Sequence, residues 1–485
     1  MDNQPTYIVI RNYLHEELLN ATDIESPNTP CLMMYGANRM YGLAFLEKML
    51  IQERVQDRYD YLVFVDEDCY VHNADTTIPA LIKRMEEDGA DMLGVPDGGI
   101  ISHRNHRDDV PNLFFTIFKS EKIRKSIFAM DYHDYVIPTD GPETPTIKYD
   151  TFEPYYKMLC FLRYKLGLVF LPLTDVINCK DETTIVRSNN ERVCTHAWLS
   201  RQYSTHPEQK ARIDKVLADA KEYDNNNVTF VIPNRGGTEL ERVIENFKFT
   251  FNPKVCGVNW DVRFLVVEQA DDMPFMRGQL YNIALDHVNT KWIGLIDNDI
   301  FNLNSFNPVE EYQRLGGPYV AFDRIAQLQF FENGEYTILS EEKRMGGFGA
   351  FDFMQTDDLR QCGGFSNLCM AWGAEDNILN EKIHFARKKW WTLGHIDHPK
   401  RNEDNLKLSD RNRRVYGRYR NGRINPHKDG WRQTTYTLVS DDHGDVVRTI
   451  KVKDIGVTDG YMYMDVLRRQ QKSIQPQRVA DEENR

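Results

Sequence analysis

The sequence predicts an α/β protein built from two Rossmann-like, nucleotide-binding units in tandem. Three observations carry this. Two apolar runs, Tyr61–Val65 and Ile293–Ile296, each end in an acidic triplet, Asp66-Glu67-Asp68 and Asp297-Asn298-Asp299. Each triplet follows an earlier strand candidate at similar range, 59 residues from Tyr7 to Asp66 and 69 from Val228 to Asp297. Between the halves, Asp224-Asn225-Asn226-Asn227 has the composition of a linker. Apolar runs of this length read as strands of a parallel sheet buried on both faces. Ligands gather at the carboxyl ends of such strands. Two carboxylates spaced two apart there suit a hard divalent cation that bridges and neutralises a diphosphate. A lone triplet is equally an ordinary polar turn. Its recurrence at matching places in a repeat points instead to two copies of one architecture.

The first unit is expected over residues 1–224. Tyr7–Ile10 and Cys31–Tyr35 read as short strands, and Leu43, Leu46, Met49 and Leu50 place a helix over Tyr41–Val55. After the strand Tyr61–Val65 come a helix over Asp75–Gly89 and a strand over Met92–Val95. Two polar loops follow, Asp97–Asp109 with His103 and His106, and Pro138–Pro154 with Asp140, Glu143, Asp150 and Glu153. A helix over Tyr155–Leu166, the segment Cys194–Trp198 and a charged helix over Pro207–Tyr223 complete the unit.

The second unit is expected over residues 225–460, with 461–485 as a tail. Val228–Ile232 restarts as a strand and ends in Pro233-Asn234-Arg235-Gly236-Gly237. A helix (Glu239–Phe247), a strand (Val262–Val267) and a helix (Met276–Val288) lead to the second triplet.

Seven stretches of this half fall in one order: VTFVIPNR (228–235), VVEQ followed by FMRGQLYNIAL (275–285), LIDNDI (295–300), MGGFGAF (345–351), CGGFSN with AWGAEDN (362–377), HIDHPKRNEDN (395–405), and DGWRQTTY with a closing hairpin (429–452). In that order they resemble the β-1,4-galactosyltransferase family, which includes the N-acetylgalactosamine-transferring part of chondroitin synthases. The resemblance covers Val228 to about Gly456 and implies a GT-A fold, the nucleotide-diphospho-sugar transferase fold, that binds a UDP-sugar. It implies that Pro233, Arg235, Phe275, Arg277, Asp297 and Gly347 line the nucleotide-sugar site. Arginine is suited to phosphate oxygens on its own chemistry, and an aromatic beside it can cover the base. By the same resemblance Asp299 is a metal ligand, Trp372 contacts donor and acceptor sugars, and Glu375 and Asp376 bind the acceptor hydroxyl. Asp376 is then the general base for inverting attack at the anomeric carbon.

His395 and His398 are three apart and close enough to meet on one ion. The family usually has methionine at the first of these positions. Imidazole is a harder ligand than a thioether, so Mn²⁺ or Mg²⁺ is the expected cofactor. Arg344-Met345 stands where the family carries its sugar-discriminating tyrosine, so the donor sugar is not inherited from the resemblance. Ala374 replaces a glycine.

The N-terminal half resembles GT-A glycosyltransferases only in general. Asp66, Asp68 and His196 form a candidate second metal site, with Asp150 or Glu153 as the candidate base; the bland reading of the latter pair is a helix N-cap cluster. Both carboxylates of the triplet are intact, which favours a working site over a degenerate scaffold.

Composition sets the outer limits. A hydrophobic content of 41% and a charged content of 27% belong to a folded protein. No apolar run reaches the roughly 18 residues of a membrane span, and the N-terminus lacks a basic and then apolar leader, so the cytoplasm is the expected location. Eight cysteines without CxxC spacing suit reduced, buried thiols. A net charge of −13 argues against general nucleic-acid binding. Lys400–Arg432 departs from this, with 11 Lys/Arg against 4 acids and Tyr416, Tyr419 and Trp431 interleaved. It reads as a loop closing over the diphosphate or as a track for a polyanion. The expectation is a metal-dependent, bifunctional glycosyltransferase using UDP-sugar donors and a glycan acceptor, with no particular oligomeric state implied. The alternatives are DNA as acceptor, with hydroxymethylated bases as targets, and one catalytic unit beside a non-catalytic acceptor-binding unit.

Overall fold

The computed structural model describes residues 5–35, 58–96, 109–128, 156–224, 227–237, 239–252, 261–303, 307–315, 319–321, 324–331, 335–343, 350–369, 373–383, 386–387, 392–396, 403–424 and 429–457. The chain divides into two compact units, Met1–Asp224 and Asn225–Arg485.

In the first unit the strands are β1 (Tyr7–Tyr13), β2 (Cys31–Tyr35), β3 (Tyr61–Asp66), β4 (Cys69–Val71), β5 (Met92–Pro96), β6 (Pro111–Lys119), β7 (Phe170–Pro172), β8 (Asp175–Asn178), β9 (Thr184–Ser188) and β10 (Glu191–His196). Six form a sheet in the order β2-β1-β3-β6-β5-β7, and four form a second in the order β4-β10-β9-β8. Alternation along the strands supplies both faces of the larger sheet. Ile8, Ile10, Leu62 and Phe64 pack with Leu159 and Phe161 on one side. Val9, Val63 and Val65 pack with Ile78, Leu81 and Met85 of the Ala74–Glu87 helix on the other. The Pro207–Tyr223 helix buries Ile213, Val216 and Leu217 against Leu18 and Tyr203.

The strands of the second unit are β11 (Asn227–Asn234), β12 (Asp261–Gln269), β13 (Trp292–Ile296), β14 (Ile300–Asn302), β15 (Tyr319–Ala321), β16 (Arg324–Phe330), β17 (Tyr336–Lys343), β18 (Phe351–Gln355), β19 (Ala386–Arg387), β20 (Thr392–Ile396), β21 (Thr434–His443) and β22 (Val447–Val457). The large sheet runs β19-β15-β18-β13-β11-β12-β22-β21 and the small one β14-β20-β16-β17. Phe230 is central to the core, with its ring 4.7 Å from Phe251 and 5.3 Å from Phe247. Gly294 in the neighbouring strand lies under that ring, which leaves no room for a Cβ.

The six strands β12-β11-β13-β18-β15-β19 repeat the order β2-β1-β3-β6-β5-β7, and the pairings are parallel, parallel, antiparallel, antiparallel and parallel in both. This corrects the expectation of a wholly parallel sheet. Each triplet-bearing strand pairs parallel on one side and antiparallel on the other. Apolar periodicity reports burial of both faces; it is blind to the direction of the neighbouring strand.

Three other expectations change. The Tyr155–Leu166 helix is α-helical over Tyr156–Cys160 and then widens into a π-turn over Phe161–Lys165. The helix expected to reach Val288 spans Arg277–Ala284, because the Arg360 guanidinium donates to the carbonyls of Leu285 (3.0 Å) and Val288 (2.5 Å) and caps its end. The basic stretch read as a loop contains an 18-residue helix, Glu403–Arg420. From Leu408 onward its buried side chains are Ser409, Arg411, Asn412 and Val415, while Arg413, Arg414, Arg418 and Arg420 face solvent. The candidate helix over Tyr41–Val55 and the loops Asp97–Asp109 and Pro138–Pro154 lie wholly or mostly outside the described residues.

Candidate active site

In the second unit, β13 stops at Ile296, the triplet turns, and β14 begins at once at Ile300. β20 runs antiparallel to β14 and sets His395 opposite Ile300. The backbone N–H of Ile396 donates to the Asp299 carbonyl at 3.1 Å. This pairing brings His395 Nε2 to 3.4 Å from Asp299 Oδ2. The other ring nitrogen lies 3.1 Å from Gln327 Oε1, on the neighbouring strand β16, so the ring's orientation is held from behind.

Asp297 faces inward to the helix that begins at Arg277. The Arg277 Nε donates to Asp297 Oδ1 at 2.5 Å, and Nη1 reaches Asp376 Oδ1 at 2.7 Å and Glu375 Oε1 at 3.3 Å. One buried guanidinium thus stands among three carboxylates. Burial pushes Asp297 up to about 7 despite Arg277 beside it. Burial, reinforced by the charge of Asp376 and opposed by Arg277, pushes Glu375 up to about 8. Glu375 and Asp376 form the first turn of the Glu375–Lys382 helix, entered through Gly373 (φ 103) and Ala374 (φ 72) in left-handed backbone. In the loop that leaves β11, Arg235 donates to the Met273 carbonyl at 2.6 Å. Gln269 accepts from Met276 N–H at 2.9 Å and donates to the carbonyls of Met273 and Pro274, fixing the loop that carries Phe275.

Several of the resembling stretches build the floor beneath this site. Asp429 accepts from Ser366 (2.5 Å) and from the Asn367 N–H (2.8 Å). Asn367 and Trp431 bond the backbone at Gly430 and Gly363, and Asn282 donates to the Phe365 carbonyl at 2.9 Å. The FMRGQLYN, CGGFSN and DGW segments therefore hold one another in register.

The first unit repeats the same arrangement. Asp66 ends β3, β4 begins at Cys69, and β10 sets His196 opposite Cys69. Ligand atoms of Asp66, Asp68 and His196 all lie within 4.8 Å of one another. His196 Nε2 is 3.1 Å from Asp68 Oδ1, and the Ser200 N–H donates to Asp68 Oδ2 at 3.3 Å. The imidazole is stacked on Phe114 (4.2 Å, 15°) and bounded by Trp198 at 4.3 Å. Its Nδ1 is buried and has no hydrogen-bond partner among the described residues. Two carboxylates and one imidazole form a hard to borderline set with the chemistry Mn²⁺ or Mg²⁺ takes. The donor set fits such an ion.

No known family model matches the sequence, and no curated protein is similar to it. Solved structures do align. The catalytic domain of Drosophila β1,4-galactosyltransferase 7 in complex with xylobiose is 15% identical over 48% of this chain and 94% of its own, with a TM-score of 0.34. A mutant of the same enzyme in complex with manganese, UDP-Gal and xylobiose aligns over the same shares at 15% identity and a TM-score of 0.33. Residues 1–349 of Staphylococcus aureus TarS, in complex with UDP-GlcNAc, align at 11% identity over 38% of this chain and 64% of that one, with a TM-score of 0.27. Likeness at this level assigns the chain to no family.

Of the expected site residues, the structure brings Arg277, Asp297, Glu375 and Asp376 into one cluster, Asp299 and His395 into a second, and Asp66, Asp68 and His196 into a third. Pro233 and Arg235 lie at the end of β11, and Phe275 precedes the Arg277 helix. Gly347, Trp372, His398, Asp150 and Glu153 lie outside the described residues, as does Arg344. Gln327 was missed by sequence reasoning, and Gln269, though it ends the VVEQ stretch, was given no role. Gln327 acts across strands, and nothing in its local sequence marks it. No helix among the described residues is long and apolar enough to cross a membrane.

Proposed function

We propose that this chain is a metal-dependent glycosyltransferase with two GT-A units, transferring sugar from UDP-sugar donors to a glycan acceptor. The observation that carries the reading is the repeated placement of an acidic triplet between two strands, with a histidine on the antiparallel strand opposite the residue that follows it. The seven ordered stretches of the second half add the UDP-sugar. Asp299 and His395, with His398, would hold Mn²⁺ or Mg²⁺ in the second unit; Asp66, Asp68 and His196 would hold it in the first. Such an ion supplies charge neutralisation of a leaving diphosphate.

In the second unit Arg277 and Arg235 bind phosphate oxygens and Phe275 covers the base. Asp376 accepts the proton of the acceptor hydroxyl, and attack from the opposite face inverts the anomeric carbon. Glu375, raised to about 8, is protonated at neutral pH and can donate a hydrogen bond to a sugar oxygen. Arg277 orients Asp376 through the 2.7 Å contact.

The test is donor hydrolysis and transfer with Mn²⁺ across a panel of UDP-sugars, with products read by mass spectrometry. Asp299→Ala and Asp66→Ala should each abolish one transfer. Unchanged turnover in both removes the two-site reading. A second reading, in which the first unit binds acceptor without catalysis, has one observation in its favour. After β1 the chain continues Leu14-His15, without the arginine that follows β11. Under it, Asp66→Ala spares all turnover, while loss of residues 1–224 weakens acceptor binding.

A further inference from the structure

The middle residue of each triplet carries no metal-facing role in the mechanism, yet each makes a directed contact in the same direction. Glu67 is 2% exposed. Its Oε2 accepts from the backbone N–H of Leu14 (2.7 Å) and of His15 (2.8 Å), and Oε1 lies 3.2 Å from His15 Nδ1. Leu14 and His15 form the loop that leaves β1. In the second unit Asn298 Nδ2 donates to Asn234 Oδ1 at 3.1 Å, and the same oxygen accepts from the Gly237 N–H at 3.1 Å. Asn234 is the last residue of β11, and Gly237 belongs to the loop that leaves it. A Cβ at Gly237 would lie 2.5 Å from Asn298 Nδ2, so a glycine there leaves space for the contact.

We infer that Glu67 and Asn298 are positioning residues, each fastening the turn that carries its unit's metal-facing acid (Asp66 and Asp68 in the first unit, Asp299 in the second) to the loop leaving that unit's first strand. The inference rests on the reading of the two triplets as metal seats. The chemistry differs between the units while the connection is the same. A carboxylate grips two peptide N–H groups in one, and a carboxamide grips another carboxamide in the other. The tie runs directly to backbone N–H groups in the first unit and through the Asn234 side chain to the Gly237 N–H in the second. The metal-facing carboxylates then keep their aim without an ion to hold them, and outer contacts of this kind are worth about 10- to 100-fold in metal affinity. The second unit adds a consequence. The clamped loop includes Arg235, so slack at Asn298 should loosen nucleotide as well as metal.

The experiment uses the full chain and Mn²⁺ followed by electron paramagnetic resonance, with UDP binding by calorimetry. Wild type should take up two ions. Glu67→Ala should weaken one by about 10- to 100-fold and leave the other unchanged; Asn298→Ala should do the reverse and also weaken UDP. Glu67→Gln keeps one acceptor oxygen for the peptide groups and should recover part of the loss. Gly237→Ala crowds Asn298 without removing its carboxamide and should reproduce Asn298→Ala in milder form. Wild-type uptake with unchanged affinities in Glu67→Ala and Asn298→Ala overturns the inference alone. Equal weakening of both ions by either variant overturns it too, since the effect is then not local. A wild-type chain that takes up no Mn²⁺ overturns it together with the metal-seat reading.

Discussion

Arg277 Nη1 lies 2.7 Å from Asp376 Oδ1, in a side chain only 7% exposed. The same guanidinium holds Asp297, so the candidate base and the first acidic residue of the triplet share one buried cation. Removing that cation leaves three carboxylates facing one another. Arg277→Ala is expected to destabilise the second unit by about 3–5 kcal/mol, as the loss of one partner of a buried ion pair does. Arg277→Lys should fold but lose the forked geometry. Urea denaturation monitors the first effect, and UDP calorimetry, where the lysine variant should bind more weakly, the second.

Glu375 gives a pH dependence with a definite sign. Its folded value, about 8, lies above that of an unfolded glutamate, so the folded state binds the extra proton between the two. Stability is expected to fall as pH rises from about 5 towards 8 and then level off. Glu375→Gln should flatten that slope. Urea midpoints at pH 5, 6.5 and 8 for both chains test this; an equal slope in the two removes Glu375 as its source.

Asp66, Asp68 and His196 predict a stabilisation specific to divalent cation. An ion that binds only the folded chain adds about 2.7 kcal/mol at a hundredfold excess over its dissociation constant. The melting transition of the first unit should therefore rise with Mn²⁺ and return with EDTA. In His196→Ala the rise should shrink, while the transition of the second unit keeps its response.

Ala374 sits at φ 72, a backbone region that costs a non-glycine residue about 1–2 kcal/mol. Glycine relieves that cost but adds freedom to the unfolded chain worth about 0.4–1 kcal/mol. Ala374→Gly is expected to stabilise the second unit by a net of about 0.5–1 kcal/mol, read as an upward shift of the urea midpoint.

The strands and the acidic turns were legible because their signals are local. Val63 and Leu295 sit in short apolar runs, and carboxylates follow them directly in sequence. His395 was legible only through the ordered stretches around it, and His196 only through analogy with the fold. The antiparallel neighbours β6 and β18 were not, since burial on both faces looks the same whichever way the next strand runs. The Glu403–Arg420 helix hid because its buried side is mostly polar, Ser409, Arg411 and Asn412 beside Val415, and leaves no apolar stripe among so many arginines. Gln327 and Arg360 act on groups supplied by other elements, so no short window of sequence contains both partners.

β10 carries a one-residue irregularity between Arg192 and Cys194, just before His196. Side chains on a strand alternate, so the parity of residues between that irregularity and His196 decides which side of the sheet the imidazole takes. A single insertion or deletion there would aim His196 away from Asp68 while leaving all three residues in the sequence. The closing of a cluster whose members stand more than a hundred residues apart in the chain comes down to an odd or even count within one strand.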